Sequence, residues 1–146
     1  MKAKEYLSEI RTHQQLIRAL EQKAEELRTQ AEGMKAITYD KDRVQVSPAN
    51  TMESMIIRLV EVEERLGEEL LKYHAELNKR ISQIRQLPPD YAEILIQRYV
   101  MTGDHGEALT WEQIAVNIHK SFGRVTHLHG EALVAFENRY FKVSKQ

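Results

Sequence analysis

The sequence predicts an all-α protein, a long antiparallel two-helix arm of coiled-coil pattern followed by a three-helix domain. Three observations predict it. Apolar residues recur at threes and fours over residues 3–34 and again over 52–87. Only six glycines and three prolines are spread over 146 residues, too few turn formers for a sheet-rich chain. Two of the prolines, Pro88 and Pro89, then separate those runs from shorter helical patterns downstream.

The first helix carries Ala3, Ile10, Ile17, Ala24 and Ala31 seven residues apart, with Tyr6, His13, Leu20, Leu27 and Met34 three residues later. Both series share one stripe, and the other positions are mostly charged or Gln. Such a helix is about 50 Å long at roughly 1.5 Å per residue. Gly33 marks its expected end. The second run, Met52 to Leu87, repeats Ile56, Leu59, Leu66, Leu70, Tyr73, Leu77 and Ile84 at helical spacing. Asn50 with Glu53 suits its amino-terminal cap, and Pro48 prevents an earlier start. Gly67 costs this helix about 1 kcal/mol relative to Ala without stopping it. The two runs are nearly equal in length, so each can cover the other's stripe in a hairpin.

Their connection, residues 35–50, alternates instead. Ile37 and Tyr39 face Val44 and Val46 across a polar tip at Asp40 and Asp42, the pattern of a small β-hairpin or a loop. The domain boundary is expected after Leu87, giving an arm at 1–87 and a second domain at 88–146. Asp90 with Glu93 can cap a helix running to about Met101. A loop with Gly103 and Gly106 follows. Thr110 and Gln113 form a capping box for a helix starting at Trp111, and Ser121 caps the last helix. Steeply crossing helices need a small residue where they touch, which Ala115 supplies. The turn after them needs a residue that tolerates positive φ, where this chain has His119.

Composition narrows the function classes. Residues 1–86 hold 15 Lys and Arg against 15 Asp and Glu, and residues 87–146 hold 6 against 7. Neither part is the basic block typical of a strong nucleic-acid binder. No apolar run reaches the roughly 20 residues of a membrane span, and the amino terminus is polar, so a cytoplasmic protein is expected. The chain has no cysteine, which removes thiolate chemistry. His105, His119, His127 and His129 invite a metal site, yet His127 and His129 lie roughly 200° apart around a helix and cannot share an ion. Glu63, Glu64, Glu68 and Glu69 have the spacing of a solvated helix face. No nucleophile–base set or phosphate-binding glycine loop is evident, so neither an enzyme nor a cofactor or metal is expected. Trp111 is expected as a core anchor.

The stretch "ALTWEQIAVNIHKSFGRVTHLHGEAL" resembles region four of bacterial sigma factors, the part that binds the upstream promoter element. With "MKAKEYLSEI", "DRVQVS" and "LPPDYAEILIQRYV", nearly the whole chain resembles phage- and prophage-encoded transcriptional regulators carrying such a helix-turn-helix, related to the RinA and ArpU late-gene activators. The resemblance implies a helical arm, a sigma-like DNA-binding end and a role, as activator, in phage transcription inside the bacterial host. Partners would be double-stranded DNA, bacterial RNA polymerase and, through the arm, a second copy. Base contacts would fall to Phe122, Gly123 and His127, behind the Ser121 cap, and phosphate contacts to Lys120, Arg124 and Thr126. Sigma factors usually carry Arg and Glu where this chain has Phe122 and Gly123, which removes bidentate base contacts. Two other classes stay open: a small-terminase-like DNA-packaging protein, and a helical protein–protein adaptor without DNA binding.

Overall fold

A computed structural model describes residues 2–40 and 52–142, with side chains described over 2–33 and 53–142. The described chain is all-helical. Helix α1 spans Lys2–Asp40, α2 Met52–Arg85 and α3 Pro89–Leu95, which continues as a π-helical turn over Ile96–Val100. Helix α4 spans Trp111–Ile118 and α5 Phe122–Tyr140. No helix among the described residues is long and apolar enough to cross a membrane.

Several boundaries depart from the sequence pattern for identifiable reasons. Helix α1 runs straight through Gly33 to Asp40. One glycine costs about 1 kcal/mol, and the Met34, Lys35 and Ala36 that follow are good helix formers. Ile37 and Tyr39, expected in a hairpin strand, are therefore helical. Val44, Val46 and the Asn50 cap lie outside the described residues. Helix α2 ends at Arg85 rather than Leu87, because a residue before proline disfavours the α conformation. Helix α3 begins at Pro89 with no side-chain cap, in place of the expected Asp90 cap. Proline at the first helical position has no N–H to leave unpaired.

The chain divides into two compact units, Leu16–His74 on one hand and Met1–Gln15 with Ala75–Gln146 on the other. In the larger unit, Ala3, Leu7 and Ile10 of α1 and Ile84 and Leu87 join one core with the three carboxy-terminal helices. These residues come from the stretch 1–87 assigned above to the arm. The first turns of α1 run antiparallel to the last turns of α2: Tyr6 donates its hydroxyl proton to Gln83, while Arg80 pairs with Glu9 at 2.9 Å and donates to the Tyr6 carbonyl at 2.7 Å. Phe136 is fully buried at the centre, with the rings of Tyr140, Phe141 and Tyr6 at 4.8, 5.8 and 5.9 Å.

In the smaller unit, α1 buries Ile17, Ala24 and Leu27. The facing stripe of α2, including Leu59, Leu66, Leu70 and Tyr73, is half-buried. Arg28 pairs with Glu63 at 3.0 Å and with Glu25 at 2.9 Å. Both are exposed pairs of the kind that contributes under about 1 kcal/mol.

The core position of α1 has a measurable consequence. Leu7→Ala should cost about 2–5 kcal/mol in urea unfolding, whereas Leu16→Ala, at a site 38% exposed, should cost far less. Equal effects of the two would contradict a core that includes the amino terminus.

Candidate nucleic-acid interface

The site is built from two local capping signals and one left-handed residue. The Thr110 hydroxyl accepts from the Gln113 N–H at 3.1 Å, and the Gln113 side chain accepts from the Thr110 N–H at 2.8 Å. This capping box starts α4 at Trp111. At the other end His119 adopts φ 58°, ψ 45°. That conformation lets the Lys120 N–H reach the Ala115 carbonyl at 3.1 Å and the His119 N–H reach Val116 at 3.3 Å. Together they close a Schellman motif, with histidine where glycine is usual. Ser121 then accepts from the Arg124 N–H at 3.1 Å and opens α5. Residues 119–121 are thus the whole connection between α4 and α5.

The inner faces of both helices are apolar. Ile114 and Ile118 of α4 and Val125, Leu128, Ala132, Leu133 and Phe136 of α5 are buried, with Ala115 packed against them. A polar-aromatic cluster completes the support. The Arg98 guanidinium lies 4.1 Å over the Trp111 ring and donates to the Leu109 carbonyl at 2.7 Å. The His129 ring meets Trp111 edge-on at 4.8 Å, and its Nε2 is 2.8 Å from the Tyr99 hydroxyl. Trp111 is half-buried against the core, as an anchor would be. Burial, reinforced by Arg98 and Lys4, pushes His129 down from the ordinary 6.5 to about 4. Burial likewise pushes Tyr99 up to about 12, with Arg98 acting against the shift. At neutral pH the pair shares a hydrogen bond with neither group charged.

All seven residues singled out by sequence gather at the turn and the first two turns of α5. Ser121, Phe122, Gly123, Arg124 and His127 are exposed, and Lys120 and Thr126 half-buried. Phe122 is 50% exposed. The Thr126 hydroxyl donates to the Gly123 carbonyl at 3.1 Å, and His127 Nε2 is 3.5 Å from Glu131 on the next turn. His127 and His129 thus face different surroundings, one at the surface and one packed inward. Along the outer face of α5, a shallow groove is lined by Tyr91, Thr126, His127, Gly130, Glu131 and Val134. A Cβ added at Gly123 or Gly130 would meet nothing within 4 Å. Packing inside the chain therefore requires neither glycine, although each costs a helix about 1 kcal/mol relative to Ala.

Sequence reasoning missed Arg98, and weighed His129 only as a metal ligand and not as a packing partner of Trp111 and Tyr99. The signal for His129 was present, since it continues the inner-face spacing of Val125, Ala132 and Phe136, but a histidine there reads as polar. Arg98 lies in the π-helical turn, where the regular 3.6-residue period no longer places side chains. Comparison of the chain with protein-family models, with curated proteins and with solved structures finds no match.

Two outcomes follow from this geometry. Left-handed backbone costs a residue with a Cβ roughly 1–2 kcal/mol, so His119→Gly should stabilise the fold by about 1 kcal/mol in thermal or urea unfolding. The pH dependence follows from His129, which the folded chain holds below its ordinary value. As pH falls, the unfolded chain takes up this proton first. The His129 contribution is therefore full above about 6.5 and lost between 6.5 and about 4. Its slope is at most about 1.4 kcal/mol per pH unit, reduced by the solvent that reaches a half-buried ring. Unfolding of His129→Gln, measured from pH 7 to 5, should lack this component.

Proposed function

We propose that the chain is a sequence-specific DNA-binding regulator, an activator of phage or prophage transcription, with residues 111–140 acting as a sigma-region-four-like helix-turn-helix. In this reading α5 enters the major groove, with Phe122, Gly123 and His127 toward base edges and Lys120, Arg124 and Thr126 toward phosphates. The observation that carries it is the tight connection at 119–121, closed by the left-handed His119. It leaves the start of α5 exposed while both helices are held from behind by Trp111, Arg98 and His129. The two glycines on the outer face are consistent with close approach of a duplex.

The chemistry of this face makes binding weak. Arg124 is exposed, Lys120 is half-buried, and Glu131 stands beside His127. Few phosphates are neutralised, so the salt dependence is shallow, and useful occupancy needs two copies or RNA polymerase through avidity. A protein-only adaptor is the competing reading, favoured by the scarcity of bases and by Val116 and Val134, 72% and 49% exposed.

The test is selection of bound sequences from random DNA, with and without polymerase, for the wild type and for Lys120→Ala/Arg124→Ala/His127→Ala. A recovered motif lost in the variant, whose unfolding midpoint stays unchanged, is the expected result. No enrichment under either condition would leave the adaptor standing. Tight, steeply salt-dependent binding of random DNA by an isolated monomer would also defeat the proposal.

A further inference from the structure

Phe122, the first residue of α5, is an aromatic that the core does not use. Of the three phenylalanines, Phe136 is fully buried and Phe141 packs against the core, whereas Phe122 does neither and is 50% exposed. A lone apolar side chain at a surface needs no explanation by itself. This ring, however, stands at the start of the second helix of a helix-turn-helix, where side chains meet the edges of bases. Its apolar face is left for whatever docks there.

The neighbours of Phe122 decide what it can read. Gly123 carries no side chain, and a Cβ there would meet nothing within 4 Å, so the end of α5 can approach a duplex closely. That approach brings the adjacent ring to the base edges. The polar side chains nearby already have partners. Ser121 accepts from the Arg124 N–H, Thr126 donates to the Gly123 carbonyl, and His127 lies 3.5 Å from Glu131. Lys120 and Arg124 bring the charge that phosphates take. Readout at Phe122 is therefore apolar. The major groove presents hydrogen-bonding groups on every base pair but a single apolar one, the C5-methyl of thymine. A ring laid on any other edge would cover donors or acceptors without replacing their bonds to water. We propose that Phe122 selects thymine through its methyl group, so that the target carries a T·A pair facing the start of α5. The proposal rests on the reading of α5 as the helix that enters the groove, and names what that helix recognises.

The probe is the duplex most enriched by selection from random DNA, bound to the full chain under the condition that enriched it. A set of copies replaces one thymine at a time with deoxyuridine, which pairs identically and lacks only the methyl. Random DNA made without modified bases carries this methyl on thymine alone, which separates thymine from 5-methylcytosine as its source. At one position the replacement should weaken wild-type binding about fourfold, the scale of one buried methyl group. Phe122→Ala should bind the parent and that uracil duplex equally, while Phe122→Met, which keeps an apolar side chain of similar reach, should still prefer thymine. A damaged fold would weaken both duplexes alike, so the ratio between them separates contact from structure. Wild-type binding indifferent to every replacement overturns the inference and leaves DNA binding standing. So does a thymine preference that Phe122→Ala retains, or one that Phe122→Met loses. Failure to enrich any duplex overturns the inference together with the reading on which it rests.

Discussion

A helix that ends inside a protein must find donors for its last carbonyls, and the larger unit is organised around one such end. The π-helical turn after α3 leaves the carbonyls of Arg98, Val100 and Met101 pointing out of the helix. Helix α1 supplies the donors: Arg11 reaches Met101 at 3.0 Å and Arg98 at 3.3 Å, and Gln14 reaches Val100 at 2.8 Å. Burial, and then the neighbouring Arg98, works against the charge on Arg11, and the carbonyls work for it. This join fixes the turn that carries Arg98 and Tyr99. Those two side chains hold Trp111 and His129, and through them the start of α4 and the body of α5. The exposed end of α5 is therefore oriented by residues more than a hundred positions upstream.

What could be read from the sequence was local. Thr110 with Gln113, Ser121, Ala115 and the left-handed His119 each act over three to five residues, so a linear reading finds them. The apolar stripes of α1 and α2 were equally legible, since helical periodicity is a property of consecutive residues. What the stripe covers was not legible. Ala3, Leu7 and Ile10 belong to the same series as Ile17 and Ala24, yet they enter a different core. A heptad states that a residue is buried and is silent about what buries it. The π-helical turn escaped for a related reason: its carbonyls meet Arg11 and Gln14, contacts that no local pattern encodes. Proline at the first position of α3 made the expected Asp90 cap unnecessary.

The two exposed faces differ in how they use charge. The start of α5 is nearly neutral, with His127 beside Glu131 and glycines where side chains would otherwise contact a partner. On α2, exposed Ile57, Val60 and Leu71 are interspersed with Glu61, Glu64 and Glu68 and equally with Arg58, Arg65 and Lys72. The glycines of α5 are worse choices for a helix than ordinary polar helix formers, and packing inside the chain does not require them.

The larger unit also sets an order of assembly. The Ala3 N–H lies 3.4 Å from the Glu137 carboxylate, a contact between residues 134 apart in the chain. During synthesis the first turns of α1 emerge with Leu7 and Ile10 uncovered, and the Phe136 that buries them is translated about 130 residues later. At roughly 5–20 residues per second, that interval lasts about 6 to 26 seconds. Helices α1 and α2 can pair locally in that time, but the core must wait for α5. An amino-terminal fragment released early would expose this apolar surface, so a truncated product would be an aggregation-prone chain or a substrate for proteolysis rather than a working half.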